Sequence, residues 1–422
     1  MAIELGLSRI CNLLSHLGNP QNSFKVLHVA GTNGKGSVCS LLQSVLQTNK
    51  KYQVGKFTSP HLVHITDCIS VNGKSIPLQD FQGIKNRLQE TNKVHEFGCT
   101  EFELLTCTAF EYFQRMQCNW CVLEVGLGGR LDATNCSPGA NKICGITKIG
   151  MDHQGFLGDT LAQIGTEKAG MIVSGVSFVA VDGSNEPEVL DVVKKRAAMV
   201  NAVASNTSSI ISGNIIKSRS WGNIDRAIVP LNGSYQVSNV AVAVSMLDYL
   251  QSEGQISISS QQIHDGLKNV RWPGRLQNVS YYKKRAHKAL NLLIDGAHNG
   301  DAAAALAAYL AETFRPQGTE PITFVIAVTQ GKAVDYLLAP LIKQQDTVIV
   351  TRFGSVEGMP WISPMELSDL ESKAARYTDK VSARPSIQAV LDEIPHDHPD
   401  PVVVCGSLYL CGELLRDENV AW

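Results

Sequence analysis

Short β-rich runs alternate with helical patterns along most of the chain, and that alternation leaves few folds open. A strand followed by a helix and another strand pairs its strands in parallel, with helices covering the sheet. KVLHVAG (25–31) reads as a buried strand, and GSVCSLLQSVLQ (36–47) carries apolar residues at helical spacing. VGKFTS (54–59), WCVLEVG (120–126), ICGITKIG (143–150) and VSFVAVDG (176–183) continue the strands, and EFELLTCTAFEYFQRM (101–116) is a strong helix. Residues 205–232 turn Ser/Asn/Gly-rich, as in a small hairpin region, before helical patterns return at 235–251 and 260–269. RWPGRLQ (271–277) then breaks the pattern, and YYKKRAHK beyond it reads as an exposed hairpin or linker. The rhythm restarts with LNLLIDG, an Ala-rich helix over 300–313, PITFVIAV, a helix over 333–344, DTVIVTRF, two weaker helices and DPVVVCGSL. The fold expected is α/β. A phosphate-loop domain with a mostly parallel sheet spans 1–287, and a smaller Rossmann-like α/β domain spans 288–422. In such enzymes, ligands are expected between domains at the carboxyl ends of strands.

A chain of 422 residues is long enough for two domains, and 44% hydrophobic content can fill two cores. The balance of 37 basic against 39 acidic side chains argues against a wholesale basic surface for nucleic acid or acidic membranes and leaves room for a local basic site. No apolar run reaches the length of a membrane span. The first 20 residues read as an ordinary helix without the marks of a secretory or transit sequence, so a cytoplasmic protein is expected. Eleven cysteines fit that reading as reduced thiols. Cys121, Cys144 and Cys405 sit in strand-like runs as small hydrophobes. Cys118 and Cys121 form a CxxC pair, but no second pair or His-x-His cluster completes a metal site.

Four clusters carry chemistry. Gly31-Thr32-Asn33-Gly34-Lys35-Gly36-Ser37 follows a strand and opens a helix, the setting in which backbone N–H groups and a helix dipole hold phosphate. Lys35 would neutralise outer phosphates, and Ser37 offers a hydroxyl to them or to magnesium. The usual pattern is broken twice: Val29 stands at the first glycine's place, and Gly36 follows the lysine. Glu124 ends a strand before the glycines of 126–129, where a carboxylate suits the Mg²⁺ of a nucleotide site, though a solvated strand-end acid looks the same. Asp152-His153 lies past another strand, with Glu167-Lys168-Ala169-Gly170 later; a metal, a phosphate or a structural role is open for the histidine. Asp295-Gly296-Ala297-His298-Asn299 and Arg275 could bind ribose, phosphate or an amino acid, and Gly406-Ser407 follows the last strand.

Taken in order, these motifs resemble the folylpolyglutamate synthase and dihydrofolate synthase family, within the wider Mur-ligase group of ATP-dependent amide-forming ligases. The likeness runs through LGNPQ (17–21), GTNGKGS (31–37), FTSPH (57–61), TEFELLT (100–106) and EVGLGGRLDATN (124–135). It continues with DHQGFLGDT (152–160), EKAG (167–170), LNGSYQVSN (231–239), WPGRL (272–276), DGAHN (295–299) and GSLYLCGE (406–413). Within the family, the chain is most similar to the monofunctional dihydrofolate synthases of fungi.

The resemblance implies ATP-dependent ligation of L-glutamate to 7,8-dihydropteroate through an acyl phosphate, giving 7,8-dihydrofolate, ADP and phosphate. It implies that Gly34, Lys35, Gly36 and Ser37 bind ATP phosphates, that Arg275 and Asp295 touch ATP, and that Asn239 lies near the adenine. Ser59, Glu124 and His153 would hold Mg²⁺. Thr100, Phe102, Glu103, Arg130 and Asp132 are expected on the pterin side, with His298 and Ser407 at glutamate. Lys168 matches a lysine often carbamylated in the family, and Lys35, Lys168 and His298 are the expected catalytic residues. A monomer acting on small molecules, with no nucleic acid or membrane partner, is expected. Two alternatives remain: a synthase that extends glutamyl tails, alone or in addition, and a phosphate-loop ATPase without ligase activity.

Overall fold

The computed structural model describes residues 5–283 and 289–422. The first four residues, and the basic 284–288 of the expected linker, lie outside them. The chain divides into two compact units. The first comprises 1–61, 66–230 and 235–271; the second comprises 62–65, 231–234 and 272–422.

The first unit is built on an eight-stranded sheet. Strand Lys25–Ala30 lies at its heart, paired in parallel with Trp120–Glu124 on one side and Lys142–Ile146 on the other. Val54–Phe57 extends the parallel sheet one way, and Phe178–Val181 and Val203–Asn206 extend it the other. All five residues of Trp120–Glu124 and of Lys142–Ile146 are buried, as expected for strands covered on both faces. An antiparallel hairpin, Ile69–Val71 with Lys74–Ser75, finishes one edge. It breaks the expected βα rhythm, since strands of three and two residues carry too weak a signal to stand out.

Helix Lys35–Leu46 is buried along almost its whole length and packs against helices Gln236–Ser252 and Ser260–Lys268. The 205–232 region holds the expected hairpin as a three-stranded antiparallel sheet of Ile211–Ser212, Ile215–Ser218 and Gly222–Asp225. A core of Ile146, Ile164, Met171, Val179 and Val189 fills one face of the large sheet.

The long continuous stretch of the second unit begins at Trp272, ahead of the boundary expected at 287/288. The reason is strand Gln277–Tyr281, which pairs antiparallel with Leu290–Ile294 inside the second sheet. Its alternating pattern was masked by the Pro-Gly break before it. Five strands of this seven-stranded sheet are parallel: Val381–Ala383, Thr347–Val350, Thr323–Ile326, Val402–Cys405 and Leu290–Ile294. Leu62 and Val63, from early in the sequence, pack against this unit's core of Leu292, Ile294, Val404, Leu410 and Leu414. Arg416 Nε donates to Val63 O at 3.0 Å, and Ile65 N donates to Glu357 Oε2 at 3.1 Å. No helix among the described residues is long and apolar enough to cross a membrane.

Candidate active site

Parallel strands end at a common edge, so the loops after them gather there. In the first unit this edge collects Gly31–Ser37 after one strand, Ser59 after a second, Glu124 at the end of a third and His153 beyond a fourth.

The phosphate loop is held from below. Thr32 N and Asn33 N both donate to Lys148 O, at 2.9 and 3.1 Å, and the Thr32 hydroxyl pairs with the backbone of Gly150. Gly34 turns the chain at φ 95°, a conformation costly for any side chain, and a Cβ there would meet the Asn239 amide at 2.3 Å. No side chain caps helix Lys35–Leu46. Its first-turn N–H groups, including those of Gly36 and Ser37, therefore point outward at the positive end of the dipole. Lys35 Nζ bends back onto the carbonyls of Gly31 and Thr32, each at 3.1 Å, and lies 4.0 Å from Glu124 Oε1. Asn239, expected near an adenine, is buried and donates to Gln236 Oε1, while Gln236 reaches toward the Ser37 hydroxyl. Its observed place is behind the loop.

Glu124 Oε2 accepts from the Ser59 backbone N–H at 3.3 Å, so two of the three expected magnesium ligands meet. His153 takes a left-handed turn and sets its ring 3.8 Å from Asp152. Among the described residues no three His, Cys, Asp or Glu side chains form a ready-made metal cluster. One carboxylate beside one serine is the sparse oxygen set that Mg²⁺ uses when nucleotide phosphates complete its shell. Glu124 and Ser59 fit that ion.

Lys168 is buried beneath the phosphate loop and donates to Gly31 O at 2.8 Å. Burial, reinforced by the nearby Lys35 charge, pulls its pKa down to about 7, against the pull of Asp152 and Asp132. An amine so placed is about half neutral near pH 7. Gly129 lets the glycine loop lie on this lysine's backbone: a Cβ there would stand 2.6 Å from Lys168 O.

The residues expected on the pterin side fall into two sets. Thr100 and Glu103 form a capping box at the start of helix Glu101–Arg115, and Glu103 also accepts from Arg9 Nε at 3.1 Å. Phe102, on the same turn, covers Gly126 and lies 6.0 Å from the Phe57 ring. Asp132 is buried and accepts from the N–H groups of Gly126, Leu127 and Thr134 at 3.1, 2.9 and 3.0 Å. Burial raises its pKa, against the hydrogen bonds from Thr134 and the loop. Thr134 in turn meets His28 Nε2 at 2.8 Å. Asp132 and Glu103 therefore hold backbone, while Phe102 and Arg130 present surface. Arg130 makes a forked pair with Glu167, with Nη2 at 3.0 Å from Oε1. Sequence reasoning missed Arg9 and His28, which carry no motif, and Thr134, which stands inside EVGLGGRLDATN without having been singled out; Glu167 was signalled only by its place beside Lys168.

In the second unit, Leu290–Ile294 and Val402–Cys405 are neighbouring parallel strands, which brings Asp295, His298 and Ser407 to one edge. Asp295 is buried and ties the preceding loop down, accepting from Leu276 N and Ala297 N, both at 2.8 Å. Burial lifts its pKa, and the Arg275 charge opposes that lift. His298 Nδ1 lies 2.9 Å from Gly296 O, and the Ser407 hydroxyl accepts from Tyr409 N at 3.1 Å, capping the last long helix.

Known proteins resemble the chain in sequence and in fold. The family described as "Dihydrofolate synthetase, C-terminal domain" matches residues 277–417. The chain is 54% identical to a dihydrofolate synthetase of Saccharomyces cerevisiae, over 99% of both chains. It is 38% identical to a probable folylpolyglutamate synthase of the same yeast, over 98% of this chain and 97% of that one. A structure of Mycobacterium tuberculosis folylpolyglutamate synthase complexed with ADP and AMPPCP superposes with a TM-score of 0.80 at 27% identity, covering 97% of this chain and 94% of that one. The chain belongs to the folylpolyglutamate synthase and dihydrofolate synthase family of ATP-dependent ligases.

Proposed function

We propose that the protein joins L-glutamate to 7,8-dihydropteroate, driven by ATP, to give 7,8-dihydrofolate, ADP and phosphate. The observation that carries this reading is the convergence at one sheet edge of the phosphate loop, Lys35, the Glu124–Ser59 pair and the buried Lys168. Full-length similarity to a dihydrofolate synthetase supports the choice of acid.

The obstacle to the reaction is electrostatic, because a carboxylate must approach a polyanionic triphosphate. In this reading the first-turn N–H groups of Gly34 to Ser37 hold the phosphates. Lys35 leaves the carbonyls of Gly31 and Thr32 to neutralise the developing charge as the acyl phosphate forms. The glutamate amine then attacks the acyl carbon, and phosphate departs from the tetrahedral intermediate. Mg²⁺, when bound, screens and aligns the phosphates; Glu124, Ser59 and His153 are the proposed ligands. A neutral Lys168 amine is the form that would add to CO₂, releasing a proton, and the resulting carbamate would offer anionic oxygens to a second ion. Phe102 and Arg130 are assigned to the pterin, and Thr100, Glu103 and Asp132 to the backbone that shapes its site. His298 and Ser407 are assigned to glutamate, Arg275 and Asp295 to ATP, and Asn239 to support of the nucleotide loop. The enzyme is read as a monomer, and its eleven free thiols are in keeping with the cytoplasm.

ADP release measured with dihydropteroate or tetrahydrofolate as acceptor, with and without glutamate, tests the proposal. Turnover should require dihydropteroate and glutamate together. Turnover with neither would mark a simple ATPase. The 38% identity to a probable folylpolyglutamate synthase favours one second reading, in which tetrahydrofolate serves equally well.

A further inference from the structure

Cys11 and Cys136 lie 125 residues apart in sequence, yet their sulfurs are 3.5 Å apart. Cys11 is exposed on helix Ser8–His16, and Cys136 closes the short 3-10 helix Ala133–Cys136. We propose that this pair is a modification site: an oxidisable dithiol that closes to a disulfide under a mild peroxide or small-molecule disulfide and thereby slows turnover.

The chemistry balances without a cofactor. The Cys11 thiolate attacks a peroxide oxygen, forming an S–O bond and releasing hydroxide. The Cys136 sulfur then attacks the sulfenic sulfur, and the S–S bond forms as water leaves. Two thiols and one peroxide give one disulfide and two waters, with two electrons passing from sulfur to oxygen. With a small-molecule disulfide, the Cys11 thiolate displaces one thiolate to form a mixed disulfide, and Cys136, losing its proton, attacks the Cys11 sulfur and displaces the second. Accessibility favours Cys11 as the first reactant, and the S–H of Cys136 beside it stabilises the thiolate, drawing the Cys11 pKa down to about 7. The pair that sequence would nominate, Cys118 and Cys121, is buried, and burial pushes the Cys121 thiol well up.

Closure reaches the site through two short paths. The helix that carries Cys11 also carries Arg9, which holds Glu103 in the capping box beside Phe102. The 3-10 helix that carries Cys136 is capped by Asp132, whose carboxylate fixes the N–H groups of Gly126 and Leu127. A covalent bond draws the sulfurs from 3.5 Å to about 2.0 Å. It therefore pulls together the two supports of the glycine loop, at a place where ångström shifts are felt in rate.

The test treats the full-length reduced protein with graded hydrogen peroxide or glutathione disulfide, then maps its peptides without reduction. We expect a linked peptide joining Cys11 to Cys136, two hydrogens lighter than the reduced pair, with a several-fold loss of glutamate ligation. Dithiothreitol should reverse both. Cys11→Ser, an exposed substitution, should abolish both, and it serves even if Cys136→Ser folds poorly. Oxidation of Cys11 to sulfinic acid without the linked peptide would overturn the proposal. So would a linked peptide with unchanged ligation, or a loss of activity that persists in Cys11→Ser. Should the reduced protein not ligate glutamate at all, the catalytic reading fails separately, while the peptide map still decides the crosslink.

Discussion

Lys35 and Glu124 face each other at 4.0 Å across the mouth of the phosphate loop, and neither is needed to fill a core. Replacing either by Ala should lower ligation by on the order of 10²–10³-fold or more, the range seen when one preorganised charge is removed from a transition state. Circular dichroism and the unfolding midpoint should stay near wild type; near-normal turnover in a folded variant would remove these residues from the chemistry. Lys168 gives a prediction with a sign. Only its neutral amine can take up CO₂, and its pKa near 7 keeps that form abundant at neutral pH. As pH falls through about 7 the amine protonates, so at limiting CO₂ carbamylation and activity should fall together and recover when bicarbonate is raised. A ¹³C-bicarbonate sample should show a carbamate resonance that Lys168→Arg lacks. No such resonance in the nucleotide-bound protein would mean that a plain amine serves.

The elements show where legibility ended. Strand, glycine turn and helix over 25–47 could be read directly, because burial, left-handed backbone and helical spacing each leave their own mark. The strand ends that bear Glu124, His153 and Asp295 were legible for the same reason. Strand Gln277–Tyr281 was not, since the Pro-Gly break just before it hides its alternation and its pairing with Leu290–Ile294 is not a local property. Roles blurred in a similar way. Thr100 and Glu103 resemble substrate residues, yet the sequence Thr-x-x-Glu before an apolar run is also a capping box, and the structure forms one. Two substitutions separate these roles. Thr100→Ala should lower stability by about 1 kcal/mol, read by urea denaturation. Thr100→Ser, which keeps the capping oxygen, should restore it. A Ser variant as unstable as the Ala variant would mean that the threonine methyl, and not the cap, supports the helix. Asp132 was legible as a residue but not as an anchor, because its three N–H partners come from a fold that spacing does not display.

At the scale of the whole molecule, selection of the acid is the central property. A site that holds the p-aminobenzoyl carboxylate against the γ-phosphate would place the carboxylate of a glutamylated folate several bonds away. Misplacement of an ångström can cost on the order of a hundredfold in rate. Mass spectrometry of the products should therefore show one glutamate added to dihydropteroate and almost none added to tetrahydrofolate. Di- and triglutamates formed with comparable efficiency would move the chain to the tail-extending branch of its family. The contribution of residues 62–65 to the second unit has a different consequence, one of timing. Leu62 O comes so near Gly412 that a Cβ there would stand 1.8 Å away, and Val63 O accepts from Arg416. Residues 272–422 expressed alone should therefore bind a hydrophobic dye and melt without a sharp transition, whereas a fragment that folds cooperatively would show the early segment to be dispensable. During synthesis, the early segment emerges about 200 residues before its partners begin, roughly 10–40 s at about 5–20 residues per second. For that interval the core of residues 272–422 against which Leu62 and Val63 pack does not yet exist, so the nascent chain must carry four waiting residues out of a sheet that is already assembling.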